Sequence, residues 1–217
     1  MKTINVYFDT EFTGLVKNTD LISIGMVAYN ENDDNWTAFY HEFTDYDKSK
    51  VSPWVQENVI ANLIGDKKYY PTNISLNISR GDKEEFKDEF ERWVHTRLAI
   101  GPRDKICLVS DCSSYDHVLF NDIYGGAFEI PTYILPQVYD IIHDIYDFSG
   151  NWEHSFDVSR EELCRAIYTF LPKWVIGPVQ PIIYERMEMN EDMKHNALYD
   201  ALTIAQIHQG LVFWKRP

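Results

Sequence analysis

Cysteine is scarce in this 217-residue chain. There are three (Cys107, Cys112 and Cys164), none in a Cys-x-x-Cys spacing, which excludes a disulfide framework and a zinc ribbon. Long hydrophobic runs are missing too: no stretch approaches the roughly 18 apolar residues of a membrane span. The opening MKTINVYFDTEF carries a lysine but neither an apolar run nor a small-residue cleavage site, which argues against a signal peptide. The expected location is therefore cytoplasmic, with no membrane partner. No repeat, low-complexity tract or Gly/Ser linker marks a domain boundary. Positive charge is in short supply, with 20 Lys and Arg against 34 Asp and Glu, a net charge of −14. That balance argues against a broad nucleic-acid-binding face, because phosphate binding rests on Lys and Arg. Two routes stay open: carboxylates gathered around divalent cations, or a few local lysines serving a short strand. Most of the acids read as a solubilising surface.

What is plentiful is aromatic residues. Six Trp, 14 Tyr and 12 Phe within a 45% hydrophobic composition supply a core that a disordered chain lacks. The pattern predicts strands over Ile4–Phe8, Leu21–Tyr29 and Trp36–Phe43, joined by short connections as an antiparallel meander. Ser52-Pro53 opens a helix that Gly65 closes. Asp82 to Leu98 is a second helix, with an apolar stripe of Phe86, Phe90, Trp93, Val94 and Leu98 and a capping box of Asp82 and Glu85. KICLVS (105–110) reads as a buried strand, followed by a helix from Ser114 to Tyr124. A strand over Tyr133–Val138, a helix from about Asp140, a helix capped by Ser159 and stopped by Pro172, and a final helix over Asn196–Phe213 complete the reading. The class is α/β with a mixed sheet.

Asp9 and Glu11 stand two apart at the end of a strand, so both carboxylates point to one side. Two anions that close repel unless a cation sits between them, and Mg²⁺ or Mn²⁺ takes such oxygen ligands. By itself Asp-x-Glu is weak, expected roughly once by chance in so acidic a chain. Far downstream, His195 and Asp200 are five apart, about 140° around a helix axis. They share a cleft only if His195 precedes the helix and Asp200 lies in its second turn. Between these pairs, Asp111 and Asp116 follow the buried strand, at the sheet edge where active sites gather. Helix capping is an equally ordinary role for either one.

Taken together, FDTEFTGL (8–15), SSYDHVLF (113–120) and HNALYDA (195–201) resemble the three motifs of the DEDDh 3′–5′ exonucleases (DnaQ-like, ribonuclease T-like). With LISIGMVAY and SPWVQENVIANL, the chain looks most like a small bacterial and phage 3′–5′ exoribonuclease subfamily. The resemblance implies a ribonuclease H-like mixed five-stranded sheet with helices on both faces, and residues 1–217 as a single exonuclease domain. It assigns Asp9, Glu11, Asp116, His195 and Asp200 as catalytic. Asp9, Glu11, Asp116 and Asp200 would be the ligands of two Mg²⁺ or Mn²⁺ ions, and His195 the general base. Asp116 is preferred to Asp111 because Tyr-Asp-His fits the family's aromatic-Asp pattern, although Cys112-Ser-Ser stands where many relatives carry Asn. Phe12, Thr13, Gly14 and Leu15 would meet the terminal nucleotide. Phe12 could stack on a base or equally belong to the core. The implied partner is the 3′ end of RNA or another single strand, and many relatives are homodimers. Tyr7, Trp54, Tyr115 and Tyr199 read as core. The rival readings are a DNA-directed exonuclease, a non-catalytic nucleic-acid-binding module, and a mononuclear zinc hydrolase that lacks a second histidine at ligand spacing.

Overall fold

In a computed structural model, residues 1–15, 18–31, 34–65, 74–150, 159–171 and 193–215 are described. The expected stop at Pro172 lies outside them. Three strands open the chain: β1 (Thr3–Phe12), β2 (Leu21–Asn30) and β3 (Asn35–Phe43). Next come a short helix α1 (Pro53–Asn58), strand β4 (Ser75–Gly81) and helix α2 (Lys83–Trp93), which a π turn extends to Leu98. Strand β5 (Lys105–Ser110), α3 (Ser113–Ile123), β6 (Tyr139–Asp140) and α4 (Ile142–Ser149) follow. Two helices, α5 (Arg160–Phe170) and α6 (Ala197–Trp214), come last.

The sheet order is β4-β3-β2-β1-β5-β6. Strand β2 runs antiparallel to both β1 and β3, while the β3–β4, β1–β5 and β5–β6 pairs are parallel. This is the mixed sheet of a ribonuclease H-like fold, with six strands among the described residues rather than the expected five. The additional strand is β4 (SLNISRG), a half-buried edge strand whose polar residues give little alternation to read. Conversely, the strand expected over Tyr133–Val138 shrinks to the two residues of β6 and one bridge between Ile106 and Ile134. Pro136 falls inside that segment and cannot donate to a ladder.

Each sheet face carries its own core. On one side Phe8, Ile24, Met26 and Phe39 pack against Phe86, Phe90 and Trp93 of α2 and Leu119 and Phe120 of α3. On the other side Tyr7, Val27 and Tyr40 pack against Ile145 of α4, Leu163 and Ile167 of α5, and the nearly all-apolar face of α6. Helix α6 is buried along most of its length, as expected of a helix enclosed by a sheet and two other helices.

Strand β1 is flanked unevenly by its neighbours. It pairs with β5 only from Thr3 to Tyr7, so Asp9 to Phe12 project past the end of β5 and leave a crevice. Across on β2, Gly25 sits opposite Asp9. A Cβ on Gly25 would come within 2.4 Å of the backbone of Ala197 and Leu198. Glycine here lets the first turn of α6 lie directly on the sheet beside Asp9.

A candidate metal-binding active site at the end of β1

The crevice is a cleft of about 490 Å³ lined by Asp9, Glu11, Asp111, Asp116, His195 and Asp200 together with Phe12, Gly14, Leu15, Trp54 and Tyr115. Residues 9 and 195 are far apart in sequence, and three local devices bring them together. The strand pleat aims Asp9 and Glu11 toward the α6 side of the sheet. Asn196 caps α6, its Oδ1 accepting from the backbone N–H of Leu198 and Tyr199. The Asn196 amide also donates to the carbonyl of Asn62, and the Asn62 amide donates to the carbonyl of Lys194. This exchange staples the start of α6 to the turn after α1. His195 precedes the cap in the left-handed region, at φ 64°, a conformation that non-glycine residues hold mostly where the surroundings enforce it. Asp200 falls in the first turn of α6 rather than the expected second, because the helix begins only at Ala197, and both side chains line the cleft.

Ligand atoms of Glu11, His195 and Asp200 all lie within 4.8 Å of one another. Asp9 borders the same cleft, and burial together with the charges of Asp116, Asp200, Glu11 and Asp111 pushes its carboxyl well above the ordinary carboxylate range. Burial, then Asp200 and Asp116, raise Glu11 to about 9. Burial, then Asp111 and Glu161, raise Asp200 to about 8, against a hydrogen bond from the His195 backbone and the charge of Lys194. His195 is pushed down from its usual value by burial and Lys194, which keeps its imidazole neutral and able to accept a proton or bind a cation.

Asp116 is held differently. It is buried, and its Oδ1 accepts from Thr10 N–H at 3.2 Å and Thr10 Oγ1 at 2.6 Å, while Oδ2 accepts from Ser110 Oγ at 2.9 Å. Burial still raises it to about 6 despite these donors. The side chain thus ties the first turn of α3 to the part of β1 that β5 no longer supports. Asp111 instead pairs with Arg160 of α5, Nε to Oδ2 at 2.6 Å.

Do these residues suit a divalent cation? Asp9, Glu11, Asp116 and Asp200 crowd one cleft, and no ion pair to a Lys or Arg compensates any of them among the described residues. Carboxylates in that state either stay protonated or share a cation. The donors are hard oxygens with a single imidazole, a set suited to Mg²⁺ or Mn²⁺ rather than to a thiolate-seeking metal. The residues fit.

Not every expected residue faces the cleft in the same way. Phe12, Gly14 and Leu15 line it, with Leu15 70% exposed. Thr13 is buried, and its hydroxyl is engaged by Thr19 Oγ1 and by the backbone N–H of Asp20, so it fastens the loop after β1. Tyr7 and Tyr199 are core, as read from sequence. Trp54 and Tyr115 are not: they are 54% and 41% exposed and border the cleft. Trp54 meets His195 edge to face at 5.0 Å, and Tyr115 stacks on Phe12 at 5.5 Å. Sequence reasoning misses Gly25, Asn62 and Thr10. The Asn that precedes the long apolar run of α6 is a legible cap signal, but its second bond to Asn62 has no sequence trace.

A search among curated proteins gives no match. Two solved structures share the fold. One is described as the crystal structure of a full-length 3′-exonuclease (TM-score 0.59, 12% identity, 97% of this chain and 81% of that one). The other is cell-death related nuclease 4, CRN-4 (TM-score 0.53, 14% identity, 98% of this chain and 64% of that one). The family described as the 3′-5′ exoribonuclease Rv2179c-like domain matches residues 4–212. With that match spanning nearly the whole chain, and with its carboxylate cleft at the end of β1, the protein belongs to the Rv2179c-like family of 3′–5′ exonuclease domains.

Proposed function

We propose that residues 1–217 form one exonuclease domain that removes nucleotides from the 3′ end of RNA or other short single strands, releasing nucleoside 5′-monophosphates. The observation that carries this reading is the convergence of Asp9, Glu11, Asp116, His195 and Asp200 on one cleft whose carboxyls are raised by burial and mutual repulsion. Asp9, Glu11 and Asp200 would hold Mg²⁺ or Mn²⁺, with Asp116 supporting a second ion through its hydrogen-bonded carboxylate. Two such ions, when bound, supply an activated water and neutralise the scissile phosphate and the leaving oxygen. His195, neutral at the cleft wall, takes the proton of the attacking water. The wall of Phe12, Leu15, Trp54 and Tyr115 offers apolar surface to the terminal base, and Gly14 allows close backbone approach. The family description supports RNA as substrate, and the oligomeric state proposed with it is a homodimer.

A second reading has its own observation. His195 lies within ligand reach of Glu11 and Asp200, which would make it a ligand of a single ion instead of the base. Digestion of 5′-labelled RNA and DNA oligonucleotides with Mg²⁺ or Mn²⁺ tests the function. The reading expects a ladder shortening by single nucleotides from the 3′ end, faster on RNA. Faster cleavage of DNA would favour a DNA-directed enzyme, and full activity in excess chelator would overturn the metal mechanism.

A further inference from the structure

Five carboxylates border the cleft, and one of them differs from the rest. Asp111, at the end of β5, accepts from Arg160 Nε at 2.6 Å, and the two side chains are 18% and 22% exposed. The pair is therefore screened less than a surface ion pair. Arg160 is the first residue of α5, the helix that packs its far end against α6. None of the other four carboxylates in the cleft has an ion pair to a Lys or Arg among the described residues. A carboxylate already satisfied by a guanidinium gains little from a metal ion, whereas the unmatched ones gain much.

We propose that Arg160 is a charge-balancing residue of the metal cleft: by pairing with Asp111 it keeps that carboxylate out of the ligand set and tunes the cation affinity of the other four. The inference rests on the reading of the cleft as a metal site. It makes a directional claim that simple scaffolding does not. Removing the cation of the pair leaves an additional negative charge beside the cleft, which tightens Mn²⁺ binding. Removing the anion leaves an additional positive charge, which weakens it. Removing both restores the balance. If the pair merely docked α5, either loss would weaken binding.

The test is calorimetric titration with Mn²⁺ of the parent, Arg160→Gln, Asp111→Asn, the double variant and Arg160→Lys, with metal-free melting recorded for each. A unit charge acting on a divalent ion at the cleft edge corresponds to about a tenfold change in Kd. The expected results are Arg160→Gln tighter by about tenfold and Asp111→Asn weaker by about tenfold. The double variant and Arg160→Lys should stay close to the parent. Shifts of the same sign in the two single variants, no shift in either, or a double variant as weak as Asp111→Asn would overturn the proposal, the last by making Asp111 a ligand. Should Arg160→Gln fail to fold, Asp111→Asn and Arg160→Lys still decide, because an unchanged Asp111→Asn or a tenfold change in Arg160→Lys contradicts the idea. A parent that binds no Mn²⁺ overturns the metal reading itself, an outcome distinct from all of these.

Discussion

His195 carries the sharpest chemical question, because its backbone is left-handed, Trp54 packs on its ring, and it lies within ligand reach of Glu11 and Asp200. As a base it should be dispensable for metal binding and needed for rate. His195→Ala is expected to lose about 10²–10⁴-fold in rate while keeping Mn²⁺-induced thermal stabilisation, and Asp200→Ala to lose both. Loss of that stabilisation in His195→Ala would instead make the histidine a ligand. Asp116 invites a second test. Thr10→Val deletes one of its three donors, a hydrogen bond to a charged group worth about 1.5–3 kcal/mol. Equilibrium denaturation should show a loss in that range, and no loss would mean that the Thr10–Asp116 contact does not brace α3. Part of the site can be read from the chain alone: the strand pleat sets Asp9 beside Glu11, whereas His195 and Asp200, about 140° apart by helix periodicity, meet because His195 precedes the Asn196 cap. The preference for Asp116 over Asp111 comes from the family's aromatic-Asp pattern and not from periodicity, because both follow the same strand. What separates them is a contact to Thr10 106 residues away and an ion pair to Arg160 49 residues away.

Helix α6 reaches the sheet because Gly25 has no side chain, so the element, more than any single ligand, positions Asp200 and His195. Gly25→Ala would place a methyl 2.4 Å from the helix backbone, which must move. Overpacking of this kind costs about 1–3 kcal/mol, and the variant should also lose Mn²⁺ affinity although no ligand has changed. Parental Mn²⁺ affinity in a folded Gly25→Ala protein would show that the helix start is less constrained than its contacts indicate. The elements with long apolar runs, β2 and α6, and the amphipathic α2 follow their sequence patterns closely. Strand β1 runs further than its apolar stretch, because Asp9, Thr10 and Glu11 still pair with β2. Strand β4 escapes a sequence reading because an edge strand half open to solvent needs no apolar face on both sides.

At the scale of the whole molecule, the raised carboxyls link stability to pH. Glu11, Asp116 and Asp200 have ordinary values of 4.5, 3.8 and 3.8 and rise to about 9, 6 and 8 in the fold. A group whose value rises on folding binds its proton more tightly in the native state. Its contribution is therefore complete below about pH 4 and is lost as pH climbs through the folded values. Metal-free protein should melt at progressively lower temperature between about pH 6 and 9, and Mn²⁺ should flatten that decline. A metal-free melting temperature that climbs across this range would contradict the crowding of the carboxylates. The most direct measurement is calorimetric titration of the parent protein with Mn²⁺ near pH 7 in buffers of different ionisation enthalpy. If the cleft is a cation site built from these carboxyls, Mn²⁺ binds saturably and displaces protons from Glu11 and Asp200, so the observed heat changes with the buffer. Absence of saturable binding, or binding with no proton release, would contradict the account.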